Sequence, residues 1–157
     1  WEKLLSQYPV VVADKRKYYI ESNRSHYNNA HHSTGLDVAE QIIGEKYPEY
    51  GAAFTKVCNR TWAHMFNMFV MCRDLFNQYC EWMFSILEEI EKRVDISDYD
   101  TYEARIFGFV SEILLDVWLE ANNINYKEQN VSFMEPQNWL KKGSSFVLRK
   151  FGLQSKG

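Results

Sequence analysis

Apolar and polar positions fall in distinct blocks along this chain. Residues 8–13, YPVVVA, are a continuous β-branched run and predict a buried strand. The run stops at Asp14-Lys15-Arg16-Lys17. Polar residues just past a buried strand either face a ligand crevice, as in α/β folds, or mark a solvated exit. Residues 21–35 are rich in Asn, Ser and His and predict a loop or irregular helix, longer than an ordinary connection. Residues 36–43 read as a short helix ended near Gly44, and Pro48 opens another that reaches about Asn59. Residues 64–71, HMFNMFVM, are apolar on both faces. They read as a central strand, with the start of a buried helix as the rival. From 74 to 93 the apolar positions recur every three or four residues, which predicts a long helix. Residues 95–104 open a second one, with Asp100 as N-cap and Glu103 completing a capping box. Its apolar stripe is Tyr102, Ile106, Phe109, Ile113, Val117 and Ala121. A last strand is expected at 130–134.

The order strand, helix, helix, strand, helix, helix, strand predicts an α/β (or α+β) fold with a small mixed sheet covered by helices. A sheet this small is expected to belong to a larger one. The 157 residues are taken as a single domain with a basic-aromatic C-terminal segment at 136–157. The chain begins WEKLL with no initiator Met, so it is expected to be a processed or truncated piece.

Composition narrows the function. Net charge is −3, which excludes the basic footprint of a nucleic-acid binder. The charge is nevertheless uneven. The stretch 88–103 is acidic, whereas Lys141, Lys142, Arg149, Lys150 and Lys156 follow Glu135 with no acid among them. Interleaved with Trp139, Phe146 and Phe151, they suit peripheral contact with anionic lipid, or the outer face of a docked helix. Three cysteines without a CxxC spacing point to a reducing, cytoplasmic compartment and away from a zinc knuckle. No apolar run is long enough to span a bilayer.

Three of the four histidines, His26, His31 and His32, sit within SHYNNAHH, without the i, i+4 spacing of a helical zinc site. A proton-transfer or substrate-contact role and a plain polar loop both remain open for them. Arg105, Gly108 and Glu112 share one helical stripe beside Ser111, where Gly108 would let a ligand or backbone come close, or would lie on a solvated face. Asp98 and Asp100 have the D-x-D spacing that can hold a divalent cation, Mg or Mn, although capping already accounts for one of them. His64 and Asn67 would either meet substrate hydroxyls or be satisfied core groups.

KRKYYIES, SHYNNAHH, EKYPEY, the block from HMFNMF to GFVSE, and EPQNWLKKG together resemble the second half of a bacterial capsular and exopolysaccharide biosynthesis family. That family was long known as a domain of unknown function and is now associated with galactofuranosyl transfer. The resemblance implies the C-terminal half of a GT-A-like glycosyltransferase acting at the cytoplasmic face of the membrane. Its partners would be a UDP-sugar and a lipid-linked or growing glycan acceptor. The family's N-terminal half, with its HYRR-type motif, is not in this chain, and Ile113 replaces the family's usual basic residue after SE. By matching positions, the resemblance assigns catalytic roles to Asp98, Asp100, Arg105 and Glu112. It assigns substrate binding to Lys15, Arg16, His26, His31, His32, His64 and Asn67. The competing expectation is a non-catalytic interaction or membrane-docking module of a glycan-assembly complex.

Overall fold

Val10–Ala13 forms strand β1, all four residues buried, as its run of Val predicts. In this computed structural model, which describes residues 1–132, β1 is the middle of a three-stranded sheet. Strand β4 (Phe69–Met71) pairs with it antiparallel and strand β5 (Tyr126–Gln129) pairs with it parallel. Val10 and Val12 join the main core, and Val11 and Ala13 are buried on the opposite face. A second, two-stranded ribbon pairs β2 (Arg16–Lys17) with β3 (Trp62–Ala63). The short helix α1 (Glu2–Leu5) precedes β1.

Two strand expectations are corrected. The central strand is β1, and residues 64–71 are not one strand. His64 to Met68 form a turn in which Phe66 (φ 77°) and Asn67 (φ 49°) adopt left-handed backbone, and only Phe69–Met71 pairs, at the sheet edge. Period-two apolarity carries no trace of that reversal. The last strand among the described residues is β5, which ends at Gln129; of the strand expected at 130–134, residues 130–132 are irregular and 133–134 lie outside the described residues. The expected C-terminal segment 136–157 lies outside the described residues.

Of the stretch expected to be a loop or irregular helix, residues 23–30 are a regular helix. Helix α2 (Asn23–Ala30) starts where the Ser22 side chain accepts the Ser25 backbone N–H. Asn23 and Tyr27, at i and i+4, are its buried anchors. Arg24 ties it to helix α3 (Thr34–Lys46) through Asp37 at 3.0 Å and Glu40 at 2.7 Å. Gly44 is inside α3 and does not end it. A 3-10 turn at Pro48–Tyr50 leads into α4 (Gly51–Asn59), and the long amphipathic helix is α5 (Arg73–Arg93).

Helix α6 (Ile106–Ala121) is the hub. From Val110 to Leu119 only Glu112 escapes full burial, so the helix is enclosed by α3, α4 and α5 and does not present the single apolar stripe expected. Inside this apolar helix sits Asp116, 2% exposed. Its Oδ2 accepts the His64 backbone N–H at 2.9 Å and pairs with Arg60 Nη2 at 2.6 Å. Its Oδ1 lies 2.6 Å from His64 Nδ1. His64 Nε2 then reaches Glu128 Oε1 at 3.4 Å, and Lys15 Nζ pairs with the same oxygen at 2.7 Å. One carboxylate on α6 thus fixes residues 60–64, and through His64 the ends of β1 and β5.

Close helix approach also needs Gly35. A Cβ there would stand 2.6 Å from Ile106 Cγ1 and 2.8 Å from the Tyr27 hydroxyl. Gly35→Ala should therefore cost about 1–3 kcal/mol through overpacking. Asp116→Ala should cost about 3–5 kcal/mol, because the half-buried Arg60 guanidinium loses its ion partner and the buried His64 ring its hydrogen-bond partner. Urea unfolding of both variants checks these values, and wild-type midpoints in either would remove the stated role.

Candidate functional site

Lys15 and Arg16 follow the buried strand, and their side chains part to opposite sides. Lys15 joins Glu128 in the polar joint around Asp116, while Arg16 lines a cavity of about 220 Å³ between α2, the 64–68 turn and the start of α6. His26, His31 and Glu112 line it with Arg16, so four of the predicted residues meet here.

Each wall stacks an aromatic ring on an imidazole with a guanidinium over the ring; Arg16 lines the cavity, whereas Arg105 is exposed and outside its lining. On one wall Arg16 lies 5.4 Å over Tyr18, whose ring stacks on His26 at 4.0 Å. On the other Arg105 lies 5.3 Å over Phe109, which stacks on His31 at 3.8 Å. Tyr102 extends that stack, 5.2 Å from Phe109 and 5.7 Å from His31. His26 Nδ1 is 3.0 Å from the buried carboxylate of Glu21, which also accepts from Asn29. A carboxylate on one ring nitrogen fixes the imidazole's orientation. Phe66, 48% exposed on its left-handed backbone, stands on the cavity wall at the turn.

Glu112 is the half-buried acid among these walls. Burial holds its carboxyl above the ordinary carboxylate range, against the opposing pull of the Phe66 backbone, Arg105 and Arg16. A carboxylate with raised affinity for protons, beside imidazoles and guanidiniums, can accept a proton from a hydroxyl while cations offset developing negative charge.

The other predicted residues lie elsewhere. His64 is fully buried in the Asp116 joint, its ring nitrogens facing Asp116 and Glu128. Asn67 donates to Ser111 Oγ at 2.8 Å and to the Gly108 carbonyl at 3.3 Å, which holds the turn on α6. A Cβ on Gly108 would meet nothing within 4 Å, so that glycine serves no close approach. His32 stacks on Tyr99 at 4.8 Å and lies 4.0 Å from Glu103, beside the cavity wall. Asp98 is exposed. Asp100 accepts the backbone N–H groups of Tyr102 and Glu103 on Oδ1, the capping role its position predicts, at the 3-10 turn Glu103–Arg105 that leads into α6. Among the described residues no three His, Cys, Asp or Glu side chains stand together as a metal site.

Sequence reading missed Tyr18, Glu21, Tyr102 and Phe109. Tyr102 and Phe109 fall in the expected apolar stripe, and Tyr18 lies just past the polar run 14–17. Glu21, one acid five residues before His26, gave no periodic signal.

The profile of the family described as Domain of unknown function (DUF4422) matches residues 1–123. No curated protein matches. Among solved structures, the apo structure of the WbbM bifunctional glycosyltransferase is similar, with a TM-score of 0.77 and 26% sequence identity. The match covers 81% of this chain and 24% of that one, so the chain spans about a quarter of that protein's length. The mixed sheet and its covering helices are thus shared with a glycosyltransferase.

Because Glu112 holds its proton more tightly folded than unfolded, stability falls as pH rises from the ordinary carboxylate value, about 4.3, to the raised one, then levels. Glu112→Gln removes that loss. In urea titrations between about pH 4 and 8, the variant should gain on wild type through this window and hold the gain above it. A pH-independent difference would refute burial as the cause.

Proposed function

Since the chain belongs to the DUF4422 family, we propose that it is part of a glycosyltransferase and that the cavity beside α2 is where its sugar transfer occurs. The likeness to WbbM supports the transferase class. The single observation that carries the site is Glu112, its proton affinity raised by burial, set between two cation–aromatic–imidazole stacks.

In the reaction, an acceptor hydroxyl oxygen bonds to the anomeric carbon of a sugar nucleotide as the bond from that carbon to the diphosphate breaks. The diphosphate leaves with the electron pair, and Arg16 and Arg105 offset its charge. The hydroxyl proton passes to Glu112. His26, held by Glu21, and His31 hydrogen-bond the sugar or the departing phosphate. The donor is a UDP-sugar, with galactofuranose as the transferred sugar, and the acceptor is a lipid-linked or growing glycan of capsule or exopolysaccharide. Among the described residues no helix is long and apolar enough to cross a membrane, and the membrane contact proposed here is a peripheral one. The basic-aromatic segment 136–157 is the proposed source of that contact.

Glu112→Gln in the full natural chain should lower kcat by about 10²–10⁴-fold and leave UDP-sugar binding nearly intact. Arg105→Ala should weaken binding of UDP as well as transfer. Radiolabel transfer from UDP-galactofuranose and UDP-galactose, with calorimetric titration of UDP, measures both. Wild-type transfer in both variants would dismiss this site.

A further inference from the structure

Two polar atoms of the cavity's residues are left without partners inside the protein. Tyr18 is 7% exposed and Asn23 is 2% exposed, and both line the cavity. The Asn23 side-chain N–H₂ is fully used, donating to the Val57 and Trp62 carbonyls at 2.8 Å each. Those two bonds fix the amide's orientation, and its Oδ1 is buried with no hydrogen-bond partner. The Tyr18 hydroxyl is buried with none either. Buried polar groups are nearly always paired, and each orphan costs its full desolvation. Both belong to residues that line one cavity, beside acid–base groups, which points to a ligand that completes them.

We infer that Tyr18 and Asn23 read hydroxyl groups on the ring of the transferred sugar. This rests on the transferase reading above and deepens it. Asn23 Oδ1 only accepts, so its partner must donate. Burial pushes the Tyr18 hydroxyl up to about 12, so it stays protonated and can donate as well as accept. Hydroxyls on a sugar ring supply both halves, since each donates and accepts. A pyrimidine imide offers a donor beside acceptors too. It lies beyond the ribose and the diphosphate, however, away from the bond that breaks beside Glu112. Of the two hydroxyl-bearing rings joined to the diphosphate, the ribose and the transferred sugar, only the transferred sugar carries the bond that breaks beside Glu112.

The test compares wild type with Tyr18→Phe in the full natural chain. Its substrates are the donor UDP-sugar, each monodeoxy form of that sugar, and UDP alone. Tyr18→Phe removes only the unpaired hydroxyl, so the melting temperature of the free protein should stay unchanged or rise. kcat/KM for the parent donor should fall about tenfold, the worth of one neutral hydrogen bond completed in a buried site. For one monodeoxy donor, wild type and variant should be equally poor, because the partner hydroxyl is already gone. UDP should bind both proteins alike. A lowered melting temperature would show that the hydroxyl is structural and overturn the inference. So would an unchanged kcat/KM, or the same drop on every deoxy donor. Weaker UDP binding by the variant would assign the pair to the nucleotide, which also overturns it. If wild type transfers no sugar, the transferase reading fails by itself. Binding then decides this inference: Tyr18→Phe must bind the UDP-sugar about tenfold more weakly and UDP equally.

Discussion

The Asp116 carboxylate is the constraint on which this architecture turns. It is a charge inside an apolar helix, affordable only because a guanidinium, an imidazole and a backbone N–H converge on it. Those partners come from one short segment, Arg60 to His64. Fixing that segment sets β3, and β3 pairs with β2 so that Arg16 stands opposite Ala63. The turn that follows His64 is then held on α6 by Asn67. Both the Arg16 wall and the Phe66 turn therefore inherit their places from a carboxylate outside the cavity. A buried ion cluster of this kind is a weak source of net stability, but here it sets the register of everything around the site.

On that frame, chemistry gathers where α2 meets α6. The two helices bring His26 and His31 against Tyr18 and Phe109, and the arginines cover the outer faces of those rings. Stacking restrains groups that would otherwise wander, so the cavity is organised before any ligand enters. Glu112 gains its proton affinity from the same packing. In the proposed transfer these groups would take a proton from a hydroxyl while the charged diphosphate departs.

How much of this was legible in the sequence depended on the physical signal each element carries. β1 and α5 announce themselves, one by an unbroken β-branched run and the other by period, and both lie where expected. α2 does not, because only Asn23 and Tyr27 anchor it and the remaining surface is polar. The 64–68 turn is hidden because Phe66 and Asn67 take left-handed backbone without glycine, so apolar alternation reads as strand. His64 and Lys15 have the residue types of a site, but long-range partners on α6 and β5 draw them into the joint. Asp116 was the missed clue: a lone acid in ILLDVWL has to be paired when that helix is buried. The family resemblance supplied the transferase class, and the likeness to WbbM supports it at the level of fold and class.

The chain's four histidines offer the most direct test of the central claim, since two line the cavity, one lies beside it and one is locked in the joint. Imidazole ¹H–¹⁵N spectra of the full natural chain, titrated with a UDP-sugar, should show His26 and His31 shifting with a common saturation curve while His64 stays in place. Shifts confined to His64, or none at His26 and His31 under saturating UDP-sugar, would contradict the account.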